Sequence, residues 1–126
     1  MSGALSATDT LGKMAGKVNY LTKNLKNLII VREINSGSTG VTCNAGKTGS
    51  YTFSSSNINK TGYTPIFITY PEFSSGNNVS GVTGQANMVA YRHYLNSGNA
   101  YVYFRNDGST NAKFVLYIRI IYIYTG

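Results

Sequence analysis

The sequence predicts a mainly β protein: an antiparallel, jelly-roll-like β-sandwich head preceded by one N-terminal α-helix that forms a trimeric coiled coil. Three observations lead there. Apolar residues first recur at alternating steps of three and four, then switch to a period of two. Glycine- and asparagine-rich turns punctuate the remainder at short intervals, with no second long helical pattern between them. The chain has 126 residues with 11 Tyr, 5 Phe and 14 Gly against 2 Pro, a composition suited to short strands and tight turns.

The helix comes first. Leu11, Met14, Val18, Leu21, Leu25 and Leu28 follow a strict 3-4-3-4-3 spacing, an a/d heptad seam. Thr8 or Asp9 can cap its start. The seam is narrow, because Ala15, Lys17, Thr22 and Asn24 beside it are small or polar, as expected for self-association rather than packing on a sheet. At about 1.5 Å per residue the helix is short, and isolated helices of this length are marginal in water. The head must therefore supply most of the assembly energy. Lys13, Lys17, Lys23 and Lys26 read as a solvated face.

Residues 1–30 are taken as the helical segment, 31–40 as a linker ending in Ser36-Gly37-Ser38-Thr39-Gly40, and 41–126 as the head. Strands are expected at Val41–Ala45, Ser50–Phe53, Pro65–Tyr70, Met88–Leu95, Ala100–Arg105 and Lys113–Tyr124. Loops fall between them, including Ser54–Lys60 and Ser74–Asn78. A loop at Asn96–Asn99 sets Leu95 opposite Ala100, His93 opposite Val102 and Tyr91 opposite Phe104 on a core face. The other face pairs Tyr94 with Tyr101 and Arg92 with Tyr103, and carries Arg105 beside Ala90. A five-residue loop then keeps Phe114, Leu116 and Ile118 on the Val102 face, with Lys113, Val115, Tyr117 and Arg119 on the Tyr101 face. Beyond Ile118 both faces are apolar: Ile118, Ile120, Tyr122 and Tyr124 on one, Ile121 and Ile123 on the other. Such a strand needs cover on both sides, and in so small a chain the second cover is expected to be another subunit.

The stretches Val41-Thr42-Cys43-Asn44-Ala45-Gly46-Lys47-Thr48-Gly49-Ser50-Tyr51-Thr52-Phe53 and Lys60-Thr61-Gly62-Tyr63-Thr64-Pro65-Ile66 resemble the terminal β-sandwich modules of tail-fibre and baseplate receptor-binding proteins of phages and prophages. Val102-Tyr103-Phe104-Arg105-Asn106-Asp107-Gly108-Ser109 and Val115-Leu116-Tyr117-Ile118 are similar to that group's last two strands. The resemblance implies a homotrimeric virion component that binds a host surface polysaccharide or cell-wall polymer and contacts other virion proteins. It transfers no binding or catalytic residue.

Little of the chain suits catalysis. The head holds Glu72, Asp107 and His93, and Asp107 sits in an Asn-Asp-Gly turn. A glycosidase needs a convergent carboxylate pair, and Glu72 has no obvious partner. His93 is expected in the core, and the single cysteine, Cys43, as a small buried thiol. Neither Gly37–Gly40 nor Gly46-Lys47-Thr48 completes a phosphate-binding loop, and no metal-ligand spacing occurs. No cofactor and no enzymatic activity are expected.

The net charge of +7 arises from 11 basic residues against 4 acids and favours an anionic partner. Arg92, Tyr94, Tyr101, Tyr103 and Arg105 form the one candidate binding constellation. Tyrosine rings stack on a sugar's C–H face while their hydroxyls bond its edge, and arginine holds carboxylate or phosphate. The same rows would also serve as a subunit interface, and the loops Ser54–Lys60 and Ser74–Gly84 are alternative ligand sites. A structural fibre or capsid-decoration protein is the first alternative. A module binding nucleic acid through interleaved aromatic and basic residues is the second and least favoured. Met1–Thr10 lacks the basic-then-apolar pattern of a leader, and Phe114–Tyr124 is short and interrupted by Arg119, so synthesis in the host cytoplasm, a virion location and no membrane insertion are expected.

Overall fold

A computed structural model describes residues 11–25, 27–76 and 79–126, the side chains of 20–25 excepted. Thr8 and Asp9 lie outside the described residues. The chain is mainly β: two antiparallel sheets lie face to face in a sandwich-like arrangement, and helix α1 (Leu11–Leu25) precedes them. The described seam side chains Leu11, Met14, Val18 and Leu28 are exposed, while those of Leu21 and Leu25 fall among the excepted ones.

The larger sheet is built on its last strand. Strands β1 (Ile29–Asn35), β2 (Val41–Cys43), β4 (Tyr63–Ile68) and β5 (Glu72–Ser74) all pair with β8 (Ala112–Tyr124). β1 and β2 cover successive lengths of β8, from Ile123 to Tyr117 and from Phe114 to Ala112. β4 and β5 do likewise from Tyr124 to Ile120 and from Tyr117 to Val115. The smaller sheet has the order β3 (Thr48–Phe53), β7 (Asn99–Asn106), β6 (Met88–Asn96).

The β6–β7 hairpin follows the expected register at Leu95–Ala100, Tyr94–Tyr101, His93–Val102 and Arg92–Tyr103. Its loop is only Ser97-Gly98, with φ of 50° and 79°, the doubly positive pair that a two-residue hairpin turn with native twist requires. Past Arg92 a bulge intervenes. Ala90, not Tyr91, pairs with Phe104, and Arg105 faces Val89 rather than Ala90. The bulge sends the small Ala90 into the core and leaves Tyr91, with its hydroxyl, in solvent. The Tyr70 hydroxyl accepts the Ala90 amide at 3.3 Å.

Other expectations need correction. β7 and β8 do not form a hairpin; the loop between them crosses from one sheet to the other. Phe114, Leu116 and Ile118 therefore share the Val102 core by facing it across the sandwich, as the edge-on Phe104–Phe114 pair at 5.3 Å shows. Lys113, Tyr117 and Arg119 accordingly do not join the Tyr101 surface. Val115 is buried beside Gly76 and Val79, with its methyl 2.6 Å from where a Cβ on Gly76 would sit. Of the expected linker 31–40, residues 31–35 belong to β1, and Glu72, expected in a loop, opens β5. The Ser54–Lys60 segment contains a short helix, α2 (Ser55–Ile58), which closes one end of the core with fully buried Ile58. Tyr124, expected on the covered face, is exposed.

Two buried polar groups join these parts. Tyr122 donates its hydroxyl to the Ile58 carbonyl. Asn106 donates to the carbonyls of Cys43 at 3.0 Å and Thr110 at 2.8 Å, and accepts the Gly108 amide at 2.9 Å. One amide thus ties β2, the end of β7 and the crossing loop. Asn106→Ala should lower unfolding free energy by about 2–3 kcal/mol, and Tyr122→Phe by roughly 1–2 kcal/mol, because each strands buried carbonyls. Urea titration at fixed protein concentration measures both, and losses below about 0.5 kcal/mol would show the groups to be dispensable.

Candidate functional site

The smaller sheet turns one face to the core through Ala100, Val102 and Phe104, so strand alternation sends Tyr101, Tyr103 and Arg105 outward. The hairpin register sets Tyr94 and Arg92 of β6 beside them, and β3 adds Thr52, Ser50 and Thr48 on the far side. Tyr94 stacks on Tyr101 with centroids 5.1 Å apart and planes at 21°, and lies nearly parallel to Tyr103 at 6.2 Å and 12°. The Arg92 guanidinium carbon sits 4.7 Å from the Tyr94 centroid and 5.8 Å from that of Tyr103, within cation–π range. Asn99 donates to the Tyr101 hydroxyl at 3.4 Å. The pKa of Tyr94 is raised above its ordinary value, first by the hydroxyl interaction with Tyr103 and then by desolvation, while Arg92 pulls it down. At neutral pH the Tyr94 phenol is therefore a donor and acceptor, not an anion.

The structure thus brings together Arg92, Tyr94, Tyr101 and Tyr103. Arg105 shares their face but is engaged by Asp107, with Nε 2.9 Å from Oδ1. Tyr91, 6.3 Å from Tyr103, extends the aromatic row. Strict alternation hid it, since a bulge is invisible to counting by twos.

A different surface lies on the outside of the larger sheet. Val31, Ile121 and Phe67 make one cross-strand row, and Ile29 pairs with Ile123 in the next. Ile29, Val31, Ile66 and Phe67 are 58%, 60%, 46% and 52% exposed. The following row is ionic: Arg119 bridges Glu33 at 3.3 Å and Glu72 at 3.4 Å. Gly76 and residues 79–84 fold over the other end of this face, where Lys113 donates to the Ser80 carbonyl, and no other described residue covers the isoleucine end.

The groups considered for catalysis are dispersed. Glu72 and Asp107 answer to different arginines. His93 lies half-buried against the Tyr70 ring at 5.9 Å, on the smaller sheet, while Cys43 is on the larger. The Cys43 thiol donates to the Lys47 carbonyl at 3.3 Å. Among the described residues no three His, Cys, Asp or Glu side chains gather as a metal ion would require, and no helix is long and apolar enough to cross a membrane. Comparison with family models, curated proteins and solved structures gave no match.

Burial pushes the Cys43 thiol above its ordinary pKa, outweighing a backbone hydrogen bond from Asn106. At pH 8 it should hold little thiolate and resist a colorimetric thiol reagent while the chain is folded, then react fully in denaturant. Fast stoichiometric reaction of the native protein would contradict this account.

Proposed function

We infer that this chain is a non-enzymatic attachment module of a phage-type virion, a homotrimer on a coiled-coil stalk whose jelly-roll-like heads bind host surface saccharide. The observation that carries the reading is the platform of Tyr94, Tyr101 and Tyr103 with Arg92 above it, on the outer face of the smaller sheet. Parallel phenol rings give flat apolar area with polar rims, which matches the two sides of a pyranose. Thr52 and Ser50 add hydroxyls along one flank.

The same face could have served as a subunit contact, but the molecule has a better one. Ile29, Val31, Ile66 and Phe67 are aliphatic or purely apolar, and subunit interfaces are richest in such side chains at their centres. This face begins where the heptad seam ends, at Leu28 and Ile29, so copies joined along the helices are held beside it. It also carries Glu33 and Glu72, two of the chain's four carboxylates, facing partners whose remaining surface is basic. Second copies are therefore the occupants that fit, and the tyrosine face is left for ligand.

Light scattering should give a mass near three times the 13.6 kDa of one chain. Val31→Lys with Phe67→Lys should release monomers that keep native circular dichroism. Monomer at every concentration in the unsubstituted protein would end the trimer reading. On a glycan array and purified host cell-wall polymer, Tyr94→Ala and Tyr101→Ala should each weaken binding by about tenfold. No binding by the intact protein to either would leave the structural-fibre reading. Affinity for single-stranded nucleic acid that collapses between low and moderate salt would favour the nucleic-acid reading instead.

A further inference from the structure

The chain has four arginines, at 32, 92, 105 and 119, and three are accounted for. Arg105 pairs with Asp107, Arg119 with Glu33 and Glu72, and Arg92 lies over tyrosine rings. Arg32 has no acceptor among the described residues. Its position is also unusual. In β1 the side chains of Ile30 and Ile34 pack on the core, and Arg32 falls between them on the same side, opposite fully buried Ile120. A cation thus occupies a row that strand alternation reserves for apolar residues.

Beside it lies a groove of about 310 Å³, lined by Arg32, Ile34, Asn35, Phe53 and Asn57. That volume is at the small end for ligand sites. Its sides differ in chemistry. Ile34 and buried Phe53 give an apolar floor. The Asn35 side-chain oxygen accepts the Gly37 amide at 2.8 Å, which leaves its NH2 as a donor. Among the described residues Asn57, on α2, makes no side-chain hydrogen bond, and no carboxylate lines the groove. One guanidinium and two amide groups over an apolar floor are the donor set for an oxyanion carried on a small polyol or sugar.

We propose that this groove between β1 and α2 is a second binding site, separate from the tyrosine face, that takes a carboxylate or phosphate group borne on a sugar or polyol unit. The competing account is mechanical: the Arg32 methylenes cover Ile120 while the head reaches water. The two accounts differ in what happens when anions are added.

The test is a ¹H–¹⁵N NMR titration of the full chain at constant ionic strength with glucuronate, with glycerol 3-phosphate and with glucose. Saturable shifts at the amides of Arg32, Asn35, Phe53 and Asn57 with either anion, and none with glucose, are expected. Which anion acts identifies the source, an acidic sugar or a phosphate polymer. Arg32→Gln should weaken the response at least about tenfold, and Asn57→Ala, on the exposed side of α2, should weaken it without touching the strand. Shifts that fail to saturate, an equal response to glucose, or affinities unchanged in both variants would overturn the proposal. The tyrosine-face reading would survive that failure, because it is read on Tyr94 and Tyr101 variants with polymeric glycans.

Discussion

Strand β8 hydrogen-bonds to every other strand of the larger sheet, and the rest of the molecule is arranged around it. Its thirteen residues send Phe114, Leu116, Ile118, Ile120 and Tyr122 into the core, all at 1% exposure or less. On one side it is flanked by β1 and then β2, on the other by β4 and then β5, so each flank is a broken strand laid along one continuous template. Its partners come from as far as ninety-four residues earlier, as Ile29 pairs with Ile123. Little of the larger sheet can form before β8 is in place. Non-local pairing of this kind makes folding slow relative to helical proteins of equal size.

How much of this was legible follows from which interactions are local. The helix was, because its spacing repeats within one element. The β6–β7 register was, because a tight turn fixes it: Leu95–Ala100 determines Arg92–Tyr103 by counting. The inward row of β8 was, because alternation survives whichever strand pairs with it. The partner of β8 was not. A five-residue loop between two alternating strands reads equally well as a hairpin or as a crossing between sheets, and in both cases Phe114 meets the same core. β1 was missed because Arg32 interrupts its inward row of Ile30 and Ile34, and that row is recognisable only against Ile120 and Ile118. Of the proposed binding groups, Arg92, Tyr94, Tyr101 and Tyr103 could be placed in advance. Tyr91 could not, since the bulge that exposes it leaves no mark in the pattern.

The outer faces of the two sheets divide the surface chemistry. One carries phenol rings, hydroxyls and a guanidinium, all able to meet water when empty. The other carries isoleucine, valine and phenylalanine, which gain nothing from water and lose about 25 cal/mol for each Å² left exposed. Gly76 and residues 79–84 cover only one end of that second face, so among the described residues the bare part is the end next to the helix. A helix too short to hold by itself and a largely apolar sheet face thus adjoin at Leu28 and Ile29. Each would make up the other's deficit if both are closed by the same sister chains.

Charge follows the same division. Three of the four acids, Glu33, Glu72 and Asp107, are tied to Arg119 and Arg105, so the ion pairs remove those arginines from the pool available to a ligand. The two arginines that remain, Arg92 and Arg32, lie on opposite sides of the small sheet's plane: one above the tyrosines, one at the groove beside Phe53. A polymer with regularly spaced anions would find attraction at both, while ring stacking at only one of them would select the sugar. Attraction without stacking is screened by salt over about 8–10 Å, whereas contact with stacked rings is not. The proposed attachment therefore has two separable parts, a charge-driven approach common to many anionic surfaces and a tyrosine-driven choice among them.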